Sequence, residues 1–279
     1  MGPRASVGLG GNISKSIYSM KQGEKPTERF ESSGEDSGNG SLMRLAPIPI
    51  FFSSADPSVC MHAARESSYT THPGAIAAEC CAFLAWAVAK AIHDPELPLQ
   101  PAAGGAEAIT ARQWLERTAD EYLSTQLQDA SGADRTGVGV DEVRKLLLSR
   151  EPPESLERNW NWRASLEEGL EIEGTLRRRG HRYNGHPVSA GYFGSYAVDG
   201  LAVALHSVAA TTSMDAAIER CINCERTKTL FGLLSGAPGL RPRPRLRPRL
   251  TLFLRSSWGC GHHRRDRRAA RRRDLRPEP

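Results

Sequence analysis

The stretch Asp36-Ser37-Gly38-Asn39-Gly40-Ser41-Leu42-Met43-Arg44-Leu45-Ala46-Pro47 opens small and polar, then turns apolar directly after its second glycine and a serine. Glycines at 38 and 40 lack a Cβ, which frees the backbone for positive φ and leaves room for a ligand. Asn39 tolerates the same left-handed region and carries both a donor and an acceptor. A turn of this kind leading into a helix can aim several N–H groups at an anion or a ribose hydroxyl. The same letters also make an ordinary Gly-Asn-Gly turn, so the surrounding chain has to decide.

That surrounding chain is helical in its spacing. Ile13, Ile17 and Met20 mark a first helix, and residues 21–37 read as a surface loop that delivers Asp36 and Asn39. The glycines at 8, 10 and 11 invite a phosphate-loop reading, but no strand precedes them and no Gly-Lys-Ser/Thr follows. From Asp56 a helix starts with Pro57 in its first turn. Ser68 to His72 interrupts it, and Pro73 opens a long helix to about His93 that is apolar nearly all round through Cys80, Cys81, Phe83, Leu84, Trp86, Val88 and Ile92. Such a helix belongs in the middle of a bundle. Further helices are expected over 109–129, from Asp141 to Leu148, within 154–182, over 191–210 and from Met214 to Ile222. Almost nothing alternates with period two. The expectation is an all-α fold, one orthogonal multi-helix bundle.

Charge divides the 279-residue chain. Residues 241–279 hold 14 Arg against Asp266, Asp274 and Glu278, a net of +11; the whole chain is +5, which leaves −6 on residues 1–240. The pI near 9.0 therefore belongs to the tail, and the body gives no reason to expect nucleic acid. Residues 225–279 read as a divergent, disordered Arg/Pro-rich tail, a polycation that would meet nucleic acid only non-specifically. Six cysteines without a recognisable secretory leader point to a reduced, intracellular and cytoplasmic setting, with Cys80 and Cys81 as small core residues. The uncharged apolar run from Cys80 to Ala89 is too short to span a bilayer, so no membrane partner is expected. A zinc site drawn from Cys221, Cys224, Cys260, His262 and His263 has the wrong ligand spacing.

Three stretches then agree in order and spacing with one family. Gly38-Asn39-Gly40-Ser41-Leu42-Met43-Arg44-Leu45-Ala46-Pro47-Ile48, Ser68-Tyr69-Thr70-Thr71-His72, and Gly191-Tyr192-Phe193-Gly194-Ser195-Tyr196-Ala197-Val198-Asp199-Gly200-Leu201 resemble the ADP-ribosylglycohydrolases, including the bacterial dinitrogenase reductase-activating enzymes. The resemblance covers about residues 5–224, taken as a partial helical domain 1–224. It implies hydrolysis of the N- or O-glycosidic bond between ADP-ribose and a protein side chain, by a water activated at magnesium. It implies Asp36 as the catalytic carboxylate and a metal ligand, and Gly38, Asn39, Gly40, Ser41, Met43, Arg44 and His72 as substrate-binding residues, His72 near the distal ribose. Without it, Asp36 is a solvated loop acid beside Glu31 and Glu35. Arg44 could pair with acids of the site or with a phosphate. Tyr192, Phe193 and Tyr196 could offer an aromatic face to adenine, or simply belong to the core.

The family holds two magnesium ions with an early Gly-Asp-x-x-Gly segment followed by Asp-Asp-Thr, and a late Gly-Asp-Ala-Asp-Thr segment. Neither stands here: after Asn223 the sequence reads Cys224-Glu225-Arg226-Thr227-Lys228. The expectation is an N-terminally short chain with an altered C-terminal end. Two alternatives stand beside the enzyme: an inactive ADP-ribose-binding fragment lacking the metal motifs, and an interaction protein acting through its basic tail.

Overall fold

The computed structural model of the chain describes residues 11–24, 37–94, 109–128, 131–164, 169–180, 182–183, 186–187 and 193–223. Among these residues the chain is a helical bundle, as the spacing predicts. The helices are α1 (Gly11–Lys21), α2 (Gly40–Met43), α3 (Pro47–Phe51), α4 (Pro57–Tyr69), α5 (Ala75–His93), α6 (Ala111–Thr125), α7 (Val138–Leu148), α8 (Ile172–Arg178), α9 (Ala197–Ala209) and α10 (Met214–Asn223), with a 3₁₀ turn at Arg158–Trp160. The described β structure includes a short antiparallel ladder, β1 (Arg182–Tyr183) with β2 (His186–Pro187).

The bundle is built on α5, which packs against α2, α3, α4, α7 and α9. Its alanines from 75 to 87 and Cys80, Cys81, Phe83 and Trp86 are all buried, so the two cysteines are core residues as expected. By length and composition alone α5 is apolar enough to cross a membrane, with mean hydropathy 1.7, which the shorter run from Cys80 to Ala89 conceals. Its burial against five other helices accounts for that apolarity. Burying each large side chain of this kind contributes about 1.5–3 kcal/mol. Tyr122 of α6 packs edge-on against Phe83 and Trp86, with ring centroids 5.1 and 5.2 Å apart. The one acid within α5, Glu79, accepts from Arg65 Nε and Nη2 at 2.8 Å each and from Arg135 Nη2 at 3.3 Å.

Local chemistry sets the helix ends. Asp56 caps α4, accepting from the Ser58 N–H at 2.8 Å, with Pro57 in the first turn. Thr110 and Gln113 form a reciprocal capping box at α6. Three starts differ from expectation. Helix α5 begins at Ala75 rather than at Pro73, with Gly74 in extended conformation as its N-cap. Helix α7 begins at Val138 rather than Asp141, because Gly137 takes φ 133° and turns the chain in earlier. Glycine is also needed at 139, where a Cβ would lie 2.6 Å from the Ala75 carbonyl oxygen of α5. Helix α9 begins at Ala197 rather than near Gly191, because Ser195 and Tyr196 pair with the loop before α2. Helix α10 falls where the spacing puts it. Asp36, Tyr192, Cys224, Cys260, His262, His263 and the tail 225–279 lie outside the described residues.

Candidate functional site

The glycine-rich loop is held on one side by the start of α9. The Asn39 N–H donates to the Ser195 carbonyl at 2.8 Å, and the Ala197 N–H donates to the Ser37 carbonyl at 2.9 Å. Gly38 and Tyr196 form the antiparallel bridge between them. The Asn39 side chain completes the clasp, its Nδ2 donating to the Gly194 carbonyl at 2.7 Å in a buried bond. Two of the three stretches that carry the family resemblance are thus laced together, backbone to backbone.

The physical role of the glycines differs from the one expected. Neither Gly38 nor Gly40 has positive φ, and Asn39 sits at φ −74°, outside the left-handed region. What they provide is proximity. A Cβ on Gly40 would lie 2.9 Å from His72 Cε1 and 3.1 Å from its Nε2, and one on Gly38 would lie 3.5 Å from Nε2. The imidazole packs directly against the bare loop. Positive φ occurs instead at Gly194, at 93°, the residue whose carbonyl receives Asn39. Gly200 of α9 closes the arrangement, since a Cβ there would meet that carbonyl oxygen at 2.7 Å. The Asn39 N–H and one of its side-chain donors are engaged by the Ser195 and Gly194 carbonyls that lead into α9.

His72 arrives from the end of α4. Its N–H donates to the Ser68 carbonyl at 2.9 Å, and its Nδ1 lies 2.8 Å from the Thr71 hydroxyl. It is 3% exposed. Burial first, and the nearby Arg44 charge second, lower its pKa to about 4. At neutral pH it is therefore an uncharged imidazole, a hydrogen-bonding group rather than a cation. Helix α1 lies beside it: Ser16 Oγ donates to the Thr71 carbonyl at 3.4 Å, and Ile13 Cδ1 comes within 3.4 Å of the Cβ position of Gly40.

The remaining expected residues divide. Arg44 Nη2 donates to the Ser67 carbonyl at 2.7 Å and to Thr70 Oγ1 at 3.1 Å. These are neutral oxygens at the C-terminal end of α4, where a cation is favoured by the exposed carbonyls. Burial lowers the Arg44 pKa, though it stays charged at neutral pH. Ser41 is buried, and its hydroxyl accepts from the Cys81 thiol at 3.5 Å. Burial pushes that thiol up to about 11, so it is protonated and unreactive at neutral pH. Met43 is 53% exposed, on the outside of α2. Phe193 is a core side chain, so it offers no open face to adenine, and the partly buried Tyr196 lies 6.4 Å from Trp160, ring centroid to ring centroid. Asp36 lies outside the described residues, three positions before Asn39.

The sequence reading missed Gly194 and Gly200 as individual residues. The available signal was a glycine inside an otherwise apolar helix six residues after another, a spacing that marks close backbone approach.

A family model described as ADP-ribosylglycohydrolase matches residues 2–237. No curated protein and no solved structure matches the chain.

Proposed function

Because the chain belongs to the ADP-ribosylglycohydrolase family, we propose that it binds ADP-ribose at the loop 38–44 beside His72 and hydrolyses the glycosidic bond joining ADP-ribose to a protein side chain. The observation that carries this reading is the convergence of three separated stretches on the loop at 37–44: residues 194–197 clasp it through hydrogen bonds, and His72, a buried neutral histidine from the 68–72 stretch, packs against Gly38 and Gly40. The loop backbone and the neutral imidazole suit a ribose, whose hydroxyls both donate and accept. Arg44 keeps a positive charge close to the loop, as a diphosphate requires. In the reaction a water attacks the anomeric carbon as Asp36 takes its proton; the bond to the side-chain nitrogen or oxygen breaks with its electron pair on that atom, which takes a proton from solvent, leaving free ADP-ribose and the unmodified side chain.

The resemblance also implies magnesium. Among the described residues no group of three His, Cys, Asp or Glu side chains converges. The loop's own side chains are an amide, hydroxyls and an imidazole, whereas magnesium prefers carboxylate and water oxygens in octahedral array. The described residues do not fit the ion. Binding without hydrolysis is the second reading, favoured by the sequence Cys224-Glu225-Arg226-Thr227-Lys228 where the late metal segment belongs.

One experiment tests both. The chain is incubated with an ADP-ribosylated protein, with and without magnesium, beside Asp36→Asn, while calorimetry follows ADP-ribose binding to each. Release by the natural chain, reduced about 100-fold or more in Asp36→Asn with affinity kept, supports hydrolysis. Binding with no release supports the second reading. Neither binding nor release contradicts both.

A further inference from the structure

Five residues beyond the clasp glycine Gly194 lies Asp199, a carboxylate 3% exposed in the first turn of α9. Its Oδ1 accepts from Asn159 Nδ2 at 2.9 Å, Trp160 Nε1 at 2.7 Å and Arg179 Nη2 at 3.2 Å. Its Oδ2 accepts from Arg179 Nη1 at 2.8 Å. Arg179 is in turn fixed from two more directions, its Nε donating to the Leu156 carbonyl at 2.7 Å and its Nη2 to Asn159 Oδ1 at 3.3 Å. Burial works against the Arg179 charge, but Asp199, with help from Glu157 and Tyr196, raises its pKa above the ordinary arginine value. Asn159 and Trp160 are fully buried.

This node joins three elements: the 3₁₀ turn at Arg158–Trp160, the C-terminal cap of α8, and α9. It meets α9 in the same turn that holds the glycine loop. Ala197, whose N–H holds Ser37, is two residues before Asp199, and Gly200, which touches the Gly194 carbonyl, is the next residue. Apolar packing could hold α9 in the bundle as tightly, since a buried ion pair is often no more stabilising than hydrophobic residues of its volume. What packing does not supply is direction. Donors from three residues on one short carboxylate fix both the position and the rotation of the first turn.

We propose that Asp199, gripped by Arg179, Asn159 and Trp160, is a positioning residue: it sets the first turn of α9 and through it the ADP-ribose loop at 37–40. The affinity part of this rests on the function proposed above, and the positional part does not. The test is amide hydrogen exchange on the full chain and on Asp199→Asn, a near-isosteric change that removes the charge facing Arg179. The Asn39 and Ala197 amides, which form the clasp, exchange about tenfold faster in the variant while α5 amides keep their rates. ADP-ribose affinity falls about tenfold, and adding Asn39→Ala to Asp199→Asn costs much less than Asn39→Ala alone, because the clasp is already loosened. If Asp199→Asn does not fold, Arg179→Lys, which keeps the charge and loses the fork, is read in the same way. Unchanged exchange at Asn39 and Ala197, or exchange rising equally throughout the protein, overturns the proposal. So does local loosening with unchanged affinity. A natural chain that binds no ADP-ribose overturns the proposed function instead, and the exchange rates still decide the positional claim.

Discussion

Glu79 and Asp199 are both buried carboxylates gripped by arginine, and they organise two different regions. Glu79 lies on α5 among alanines and receives Arg65 from α4 and Arg135 from the loop before α7. It holds scaffold helices to one another. Asp199 lies on the first turn of α9, beside the backbone that clasps the glycine loop. A carboxylate in the core governs whether the bundle stands; one at a helix start next to a loop governs where that loop sits. The two are separable by measurement, because the first should change stability alone and the second should change ligand binding as well.

The largest expected effect is at Glu79. Glu79→Ala leaves Arg65 charged and largely buried without its partner, at a cost of about 3–5 kcal/mol in denaturant unfolding. In the folded fraction ADP-ribose affinity stays as in the natural chain. A matching loss of affinity would erase the distinction between the two regions.

A pair of glycines sharpens it. A Cβ at Gly139 would strike the Ala75 carbonyl of α5, and one at Gly200 would strike the Gly194 carbonyl of the clasp, at 2.6 and 2.7 Å. Each alanine substitution should cost about 1–3 kcal/mol by forcing backbone apart. Only Gly200→Ala should also weaken ADP-ribose, by about tenfold in calorimetric titration.

The smallest effect is in acid. The folded His72 has a pKa of about 4 against 6.5 when unfolded. Between those values the unfolded chain binds a proton that the folded chain refuses, so stability falls as pH drops through 6.5 towards 4 and is complete above 6.5. His206, also lowered by burial, contributes a slope of the same sign. Melting temperature against pH should therefore fall less steeply in His72→Gln than in the natural chain, without becoming flat. Identical slopes would mean that the loop leaves His72 open to water.

The scaffold was legible because it rests on spacing. The apolar run of α5, Pro57 after Asp56, and the Trp114–Tyr122 face of α6 each state their burial within a few residues. The site was legible only as family likeness. Its glycines looked like hinges for positive φ, whereas they are gaps for an imidazole that arrives from more than thirty residues away. Contacts of that range leave no local periodicity. The bond from the Asn39 side chain to the Gly194 carbonyl likewise has no local sign in the sequence. Asp199 and Arg179 are each unremarkable in sequence, twenty residues apart, and acquire meaning only once α8 and α9 converge.

The most direct measurement is calorimetric titration of ADP-ribose into the full chain and into Asn39→Ala. If the clasped loop beside His72 is the ADP-ribose site, the natural chain takes up one equivalent, and Asn39→Ala binds about tenfold more weakly while remaining folded. No heat with the folded natural chain, or equal affinity in the two, would contradict it.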